Sequence, residues 1–171
     1  DDDGKILGLR GRLAHDAGAY VPWGIITPYI STTTIAGPYV VPTFKFDTTV
    51  IFTNKPPTTP LRGAGRPQAV FAMERTLDLV AEMLNLDKAE IRRRNLIPAN
   101  AMPYQMGLIF RDGAPVVYDS GDYPECQAMA LKGCDYSGFE VRQRAARAEG
   151  RYIGIGIANA VEGTGLGPFE G

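Results

Sequence analysis

Residues able to do chemistry gather in two glycine-rich loops. The first, Pro60-Leu61-Arg62-Gly63-Ala64-Gly65-Arg66-Pro67-Gln68, runs straight into an amphipathic helical pattern. Its glycines let backbone N–H groups come close to a ligand, Arg62 and Arg66 supply fixed positive charge, and Pro67 suits a first helical turn. A phosphate or pyrophosphate there would satisfy the exposed donors and the positive end of the helix dipole. The second loop, Glu162-Gly163-Thr164-Gly165-Leu166-Gly167-Pro168, follows an apolar run over residues 152–161. Neither loop has GxGxxG or GxxxxGK[ST] spacing, and neither joins a strand to a helix as those motifs require. Dinucleotide and P-loop templates are therefore set aside.

The other reactive side chains fit no template. His15, the one histidine, lies beside Asp16 on a strand pattern and reads as structural; no serine stands in a nucleophile-elbow context. Cys126 and Cys134 match neither CxxC nor zinc spacings and read as two reduced, partly buried thiols.

Elements that must position the loops follow from periodicity. Residues 5–20 alternate imperfectly, with Ile6, Leu9 and Leu13 inward, as in a half-exposed strand bent at its glycines. Residues 44–52 alternate more clearly and end at Asn54-Lys55-Pro56-Pro57, and residues 27–36 between them suit a short helix. After the first loop, Val70, Met73, Leu77, Val80, Ala81 and Leu84 form an apolar stripe, with Glu74, Arg75, Asp78 and Glu82 on the wet side. Asn85 stops that helix. Asp87 and Glu90 form a capping box for a second helix whose Arg92-Arg93-Arg94 reads as a solvated face with one or two salt bridges. A hairpin turning at Asp112-Gly113, helices over 123–132 and 139–148, and a strand over 152–161 complete the pattern.

Composition sets outer bounds. With 44% hydrophobic and 22% charged residues and a net charge of -1, this is the make-up of an ordinary soluble globular chain, without the basic excess that nucleic-acid partners select. The 171 residues suffice for one domain with a core, and equally admit two smaller units. No apolar run is long enough for a transmembrane helix, and the opening Asp1-Asp2-Asp3-Gly4 is no targeting segment, so the expected location is cytoplasmic. That opening and the closing Phe169-Glu170-Gly171 suit a piece of a longer polypeptide.

Leu61-Arg62-Gly63-Ala64-Gly65-Arg66-Pro67-Gln68-Ala69, the helix behind it, and the stretch 86–98 resemble the molybdopterin-binding subunit of the xanthine dehydrogenase and aldehyde oxidase family. Residues 4–9 with 16–20 resemble the preceding strand of that subunit, and residues 154–165 resemble the strand and loop that reach the active site from the other side. The resemblance runs in order through nearly the whole chain. It implies an α+β fragment of the molybdopterin-binding domains, with mixed sheet strands and packed helices. Its stretches are 1–60 (strands and a short helix), 61–98 (cofactor loop and helices), 99–150 (loop, hairpin and helices) and 151–171 (strand and glycine-rich active-site loop).

The implied activity is oxidative hydroxylation, with water-derived oxygen inserted at an electrophilic carbon. The implied cofactor is a molybdopterin-type molybdenum cofactor, as the pterin or its dinucleotide, with electrons leaving through [2Fe–2S] clusters to FAD on partner domains or subunits. Implied partners are the remainder of the molybdopterin-binding subunit, an iron–sulfur subunit, an FAD subunit and a small-molecule substrate. Residue by residue, Arg62, Gly63, Ala64 and Gly65 match the loop against the molybdenum centre, and Gln68 matches a position at the helix start. Glu162, Gly163 and Thr164 match the loop near the substrate channel, where Glu162 is either a general base or an ordinary surface carboxylate.

No side chain is expected to ligate the metal directly. The family's catalytic glutamate and its Gly-Gly-x-Phe-Gly-Gly segment have no match, so the fragment alone is expected not to turn over. Carbon monoxide dehydrogenases of the family carry a copper-bridging cysteine directly after the loop arginine; Gly63 stands there, which argues against copper. Purine-oxidising members use an arginine in the stretch corresponding to 29–34. Its absence here points to an aldehyde or a less polar N-heteroaromatic. The alternative is a noncatalytic binding or scaffold module that retains the fold.

Overall fold

Alternation and parallel pairing build the first sheet. The computed structural model describes residues 1–20, 23–110 and 113–163. Strand β1 (Leu9–Gly18) pairs in parallel with β2 (Phe44–Phe52), Leu9 opposite Phe44 and Asp16 opposite Ile51. Helix α1 (Ile26–Thr34) lies between them in sequence. The strand begins at Leu9 rather than residue 5 because Asn95 takes over the preceding backbone. Its Oδ1 accepts from the Ile6 amide at 2.8 Å, and its Nδ2 donates to Gly4 O at 2.7 Å.

Helix α1 overcomes a sequence poor in helix formers. Thr32, Thr33 and Thr34 each donate a hydroxyl to a carbonyl one turn back, on Pro28 (3.1 Å), Tyr29 (2.9 Å) and Ile30 (2.7 Å). The polar atoms are thus satisfied inside the helix.

Helix α2 (Arg66–Leu84) organises the core. Ala69, Met73, Leu77 and Ala81 pack against Ile35, Tyr39, Ile91 and Leu96, with Leu9, Phe44 and Phe46 from the sheet closing over them. Asn85 ends the helix at φ 52, its amide donating to Ala81 O. The helix is long, yet no helix among the described residues is both long and apolar enough to cross a membrane.

Helix α3 (Lys88–Asn95) corrects two expectations. Glu74 is not on a wet face but only 6% exposed, and Arg92, expected in solvent, is 0% exposed. They bury each other: Arg92 Nε donates to Glu74 Oε2 at 2.6 Å, and its NH2 reaches Asp78 Oδ1 at 2.9 Å. A guanidinium enters a core only with its donors matched, and here the Lys88 and Glu74 carbonyls take two more. The capping box closes only halfway. Asp87 Oδ1 accepts from the Ala89 and Glu90 amides at 2.8 and 2.9 Å. The Glu90 carboxylate turns instead to Arg93 (2.6 Å) and Arg94 (2.8 Å), which hold its pKa down at about 2.

An antiparallel hairpin follows, β3 (Tyr104–Ile109) with β4 (Pro115–Tyr118), its register irregular between Gln105 and Ile109. Of the expected Asp112-Gly113 turn, Asp112 lies outside the described residues. Helices α4 (Tyr123–Gly133) and α5 (Phe139–Ala148) come next, α4 capped by Asp122 accepting from the Glu125 amide at 2.9 Å. Cys126 and Cys134 are free, but both are exposed rather than partly buried, because they fall on the outer side of α4 and at its end. The expected strand over 152–161 does not form: residues 151–163 carry no ladder, since no neighbouring strand is offered among the described residues. Alternation marks strand competence; pairing requires a partner.

At the C-terminal end of the parallel pair, Asp16 accepts from Thr53 Oγ1 (2.7 Å) and the Gly18 amide (3.0 Å) and pairs with Lys55 Nζ at 2.7 Å. Led by Lys55, these contacts lower its pKa from 3.8 to about 2. A folded pKa below the unfolded one adds stability that is complete above the unfolded value and is lost as pH falls through the folded value. The unfolding midpoint of wild type should therefore drop between pH 3.8 and about 2, and Asp16→Asn should show a shallower drop. Equal slopes in a denaturation series over that range contradict the assignment.

Candidate functional site

The first loop holds an unusual backbone. Gly63 (φ +90), Ala64 (φ +47) and Gly65 (φ +106) occupy left-handed conformations in succession. Internal bonds fix the turn: Ala64 N donates to Leu61 O at 2.8 Å and Arg66 N to Gly63 O at 3.0 Å. The Gly63 and Gly65 amides have no backbone acceptor among the described residues. Gly65 also seats the loop on α1, its carbonyl accepting from Ser31 Oγ at 2.9 Å. A Cβ at Gly65 would lie 2.2 Å from Thr27 O and 2.7 Å from Ser31 Oγ.

Arg62 and Gln68 are exposed at the loop and on the first turn of α2, and Arg62 has no ion pair among the described residues. Free amides, a helix start and an unpaired guanidinium form a donor set for an anionic, oxygen-rich group. Among the described residues no group of three or more His, Cys, Asp or Glu side chains could hold a metal ion. The donors fit a cofactor that brings its own oxygens.

The second loop reaches the first through Arg66. Glu162 Oε1 stands 4.0 Å from Arg66 NH1, and a Cβ on Gly163 would lie 3.5 Å from Arg66 NH2. Thr164 lies outside the described residues. The Arg66 guanidinium sits over the Phe110 ring, 6.0 Å from its centroid, with its side chain 14% exposed. Arg66, Glu162, Phe110, Tyr118, Tyr123 and Thr34 line a cleft of ≈ 550 Å³. Tyr118 donates its hydroxyl to Gly37 O at 3.0 Å and meets Tyr123 edge-on at 6.1 Å. Burial, reinforced by Tyr123 and opposed by Arg66, pushes its phenol up to about 12, so it is neutral near pH 7.

A buried polar chain carries the second loop to this position. Tyr39 donates to Glu74 Oε1 at 2.6 Å, on the side of the carboxylate opposite Arg92. Burial and then Glu74 raise the Tyr39 pKa, which keeps the hydroxyl a donor. Asn159 Nδ2 donates to the Tyr39 hydroxyl (3.1 Å) and to Gln127 Oε1 (2.8 Å), and Gln127 Nε2 donates to Ala89 O (3.0 Å). Segment 151–163, lacking a ladder, is thus tied to α2, α3 and α4 by side chains. Gln143 adds a tie to Ile153 O at 3.0 Å.

The structure leaves Arg62 exposed, seats Gly65 buried against α1, and places Glu162 and Gly163 beside Arg66 rather than Arg62. Tyr39 and Asn159 are residues whose roles the sequence reading left unassigned, and Arg66, read there only as fixed positive charge of the first loop, also meets Glu162 and Phe110. The basic charge at the start of α2 was a local signal for Arg66, but the long-range contacts of Tyr39 and Asn159 left no pattern.

The elements around this loop make an α+β segment. Residues 1–96 match the family described as the molybdopterin cofactor-binding domain. The chain is 36% identical to the 6-hydroxypseudooxynicotine dehydrogenase complex subunit gamma of Paenarthrobacter nicotinovorans, across 99% of this chain and 21% of that one. It is 35% identical to the carbon monoxide dehydrogenase large chain of Hydrogenophaga pseudoflava, across 98% and 21%. Quinoline 2-oxidoreductase from Pseudomonas putida 86 superposes with a TM-score of 0.75 at 31% identity, covering 88% of this chain and 19% of its own. The chain belongs to the molybdopterin cofactor-binding family, in the line of the molybdenum-binding subunits of xanthine dehydrogenase and aldehyde oxidase type. It spans about a fifth of the length of the curated relatives it matches.

Proposed function

We propose that this chain forms one wall of the molybdenum site of an oxidative hydroxylase acting on an aldehyde or an N-heteroaromatic ring. The observation that supports it most is the left-handed run 63–65, in which the Gly63 and Gly65 amides have no backbone acceptor among the described residues, beside the exposed Arg62 at the start of α2 in a chain of this family. When bound, the molybdopterin-type cofactor, with or without its nucleotide, supplies the two-electron oxidation and the water-derived oxygen. The Gly63 and Gly65 amides would hold its oxo or phosphate oxygens, with Ala64 shaping the turn and Gln68 at the rim. Arg62 stabilises negative charge there.

Glu162, Gly163 and Thr164 border the substrate channel in this reading. Helix α1 presents Tyr29, whose hydroxyl is already committed to Ile109 O at 3.0 Å, and residues 29–34 offer no guanidinium for a purine. Gly63 offers no thiolate, so a copper-bridged centre is not part of the proposal. Electrons pass to [2Fe–2S] clusters and FAD on partner domains or subunits. The remainder of the molybdopterin-binding subunit, an iron–sulfur subunit and an FAD subunit complete a cytoplasmic assembly.

Arg62→Ala tests the loop. Arg62 is exposed, so the variant should keep its unfolding midpoint. In the assembled enzyme kcat should fall by about a hundredfold, the low end of the range for removing one preorganised donor. Unchanged kcat with full cofactor content removes Arg62 from the site.

A further inference from the structure

We propose that Arg66 and Glu162 read the edge of a neutral planar ring that carries an N–H donor beside a carbonyl or ring-nitrogen acceptor, as in a cyclic amide. The inference rests on the hydroxylase reading in taking the cleft as the substrate side of the same site. At 4.0 Å the two groups attract each other but are too far apart to hydrogen-bond. Arg66 has five N–H donors, and its side chain makes no hydrogen bond among the described residues; neither does that of Glu162. Both therefore keep directional capacity for a third party.

The charges select what that party is. An anion drawn to Arg66 meets Glu162 and Asp119 in the same cleft, and a cation drawn to Glu162 meets Arg66. A neutral edge with adjacent acceptor and donor satisfies both at once, the guanidinium donating to the acceptor and the carboxylate accepting from the N–H. The walls suit a flat ring, since Phe110, Tyr118 and Tyr123 line the cleft and the Tyr118 hydroxyl is occupied by Gly37. Arg66 is already packed over Phe110, so little of its freedom remains to be lost on binding.

Equilibrium dialysis with the assembled enzyme tests this by comparing 2-pyridone, N-methyl-2-pyridone, which lacks the donor, and benzene, which lacks both groups. The expected order places 2-pyridone about tenfold or more tighter than the N-methyl compound, the worth of one hydrogen bond to a charged group. Benzene should be weakest. Arg66→Met should weaken 2-pyridone about tenfold, and Glu162→Ala should erase the preference for the N–H. Equal affinity of the wild-type enzyme for 2-pyridone and its N-methyl derivative overturns the inference without depending on any variant folding. Metal analysis of the same preparation separates the failures: a molybdenum-loaded enzyme without the preference sinks this inference alone, whereas an active, molybdenum-free one sinks the hydroxylase reading.

Discussion

Replacing Arg92 with methionine is expected to destabilise the fold by about 3–5 kcal/mol, the cost of stranding a buried charge. Arg92 is fully enclosed and serves the Glu74 and Asp78 carboxylates together with two carbonyls. Without it, Glu74 stays in the core with the Tyr39 hydroxyl as its remaining side-chain partner. Exposed pairs on the same helices, such as Lys88 with Glu82, contribute about 0–1 kcal/mol and provide the contrast. Glu74→Gln in the Arg92→Met background should recover a large part of the loss, because removing both charges is far milder than removing one. Urea denaturation followed by circular dichroism measures each variant. A loss below about 1 kcal/mol for Arg92→Met would place the pair energetically at the surface.

The effect should reach the cleft. Glu74 holds Tyr39, Tyr39 accepts from Asn159, and Asn159 lies three residues before Glu162. Loosening the buried chain therefore loosens the segment that sets Glu162 against Arg66.

The second large effect is expected at Gly65→Ala. Its φ of +106 is a glycine conformation, costing another residue about 1–3 kcal/mol, and the new methyl would sit 2.2 Å from a carbonyl oxygen of α1. Neither Thr27 O nor the Ser31 backbone can rotate away, so the loop must lift from α1. The left-handed run 63–65 then loses its seat on α1, and cofactor retention should fall about tenfold or more. Gly150→Ala is the control, with φ +74 but nothing within 4 Å, and should cost only about 1–2 kcal/mol of backbone strain. Pterin released per mole of protein is the readout. Equal pterin in the two variants would detach the loop from cofactor binding.

Local signals in the chain carried most of the elements. The stripe of α2, its stop at Asn85, the Asp87 cap and the alternation of β2 each depend on neighbours within a few residues, and each appears as read. The α1 threonines counted against a helix, and their back-bonded hydroxyls are the compensation. What stayed hidden depends on distant partners. Arg92 differs from Arg93 and Arg94 only by facing Glu74 on another helix, a contact that charge patterning cannot show. Residues 152–161 alternate like a strand but stand without a neighbour, since alternation says nothing about pairing. The donor loop was legible because glycine, arginine and proline act through their own backbone and charge. The Arg66–Glu162 contact was not, because folding alone brings the two loops together.

The central claim is that the loop at residues 62–65 serves a molybdenum-bearing pterin. Its most direct test is metal and pterin analysis of the intact, catalytically active assembly containing this chain. Molybdenum and pterin are expected in equal amounts, matched to the chain and lost together when Gly65 is replaced. Full activity in an assembly that contains no molybdenum would contradict it.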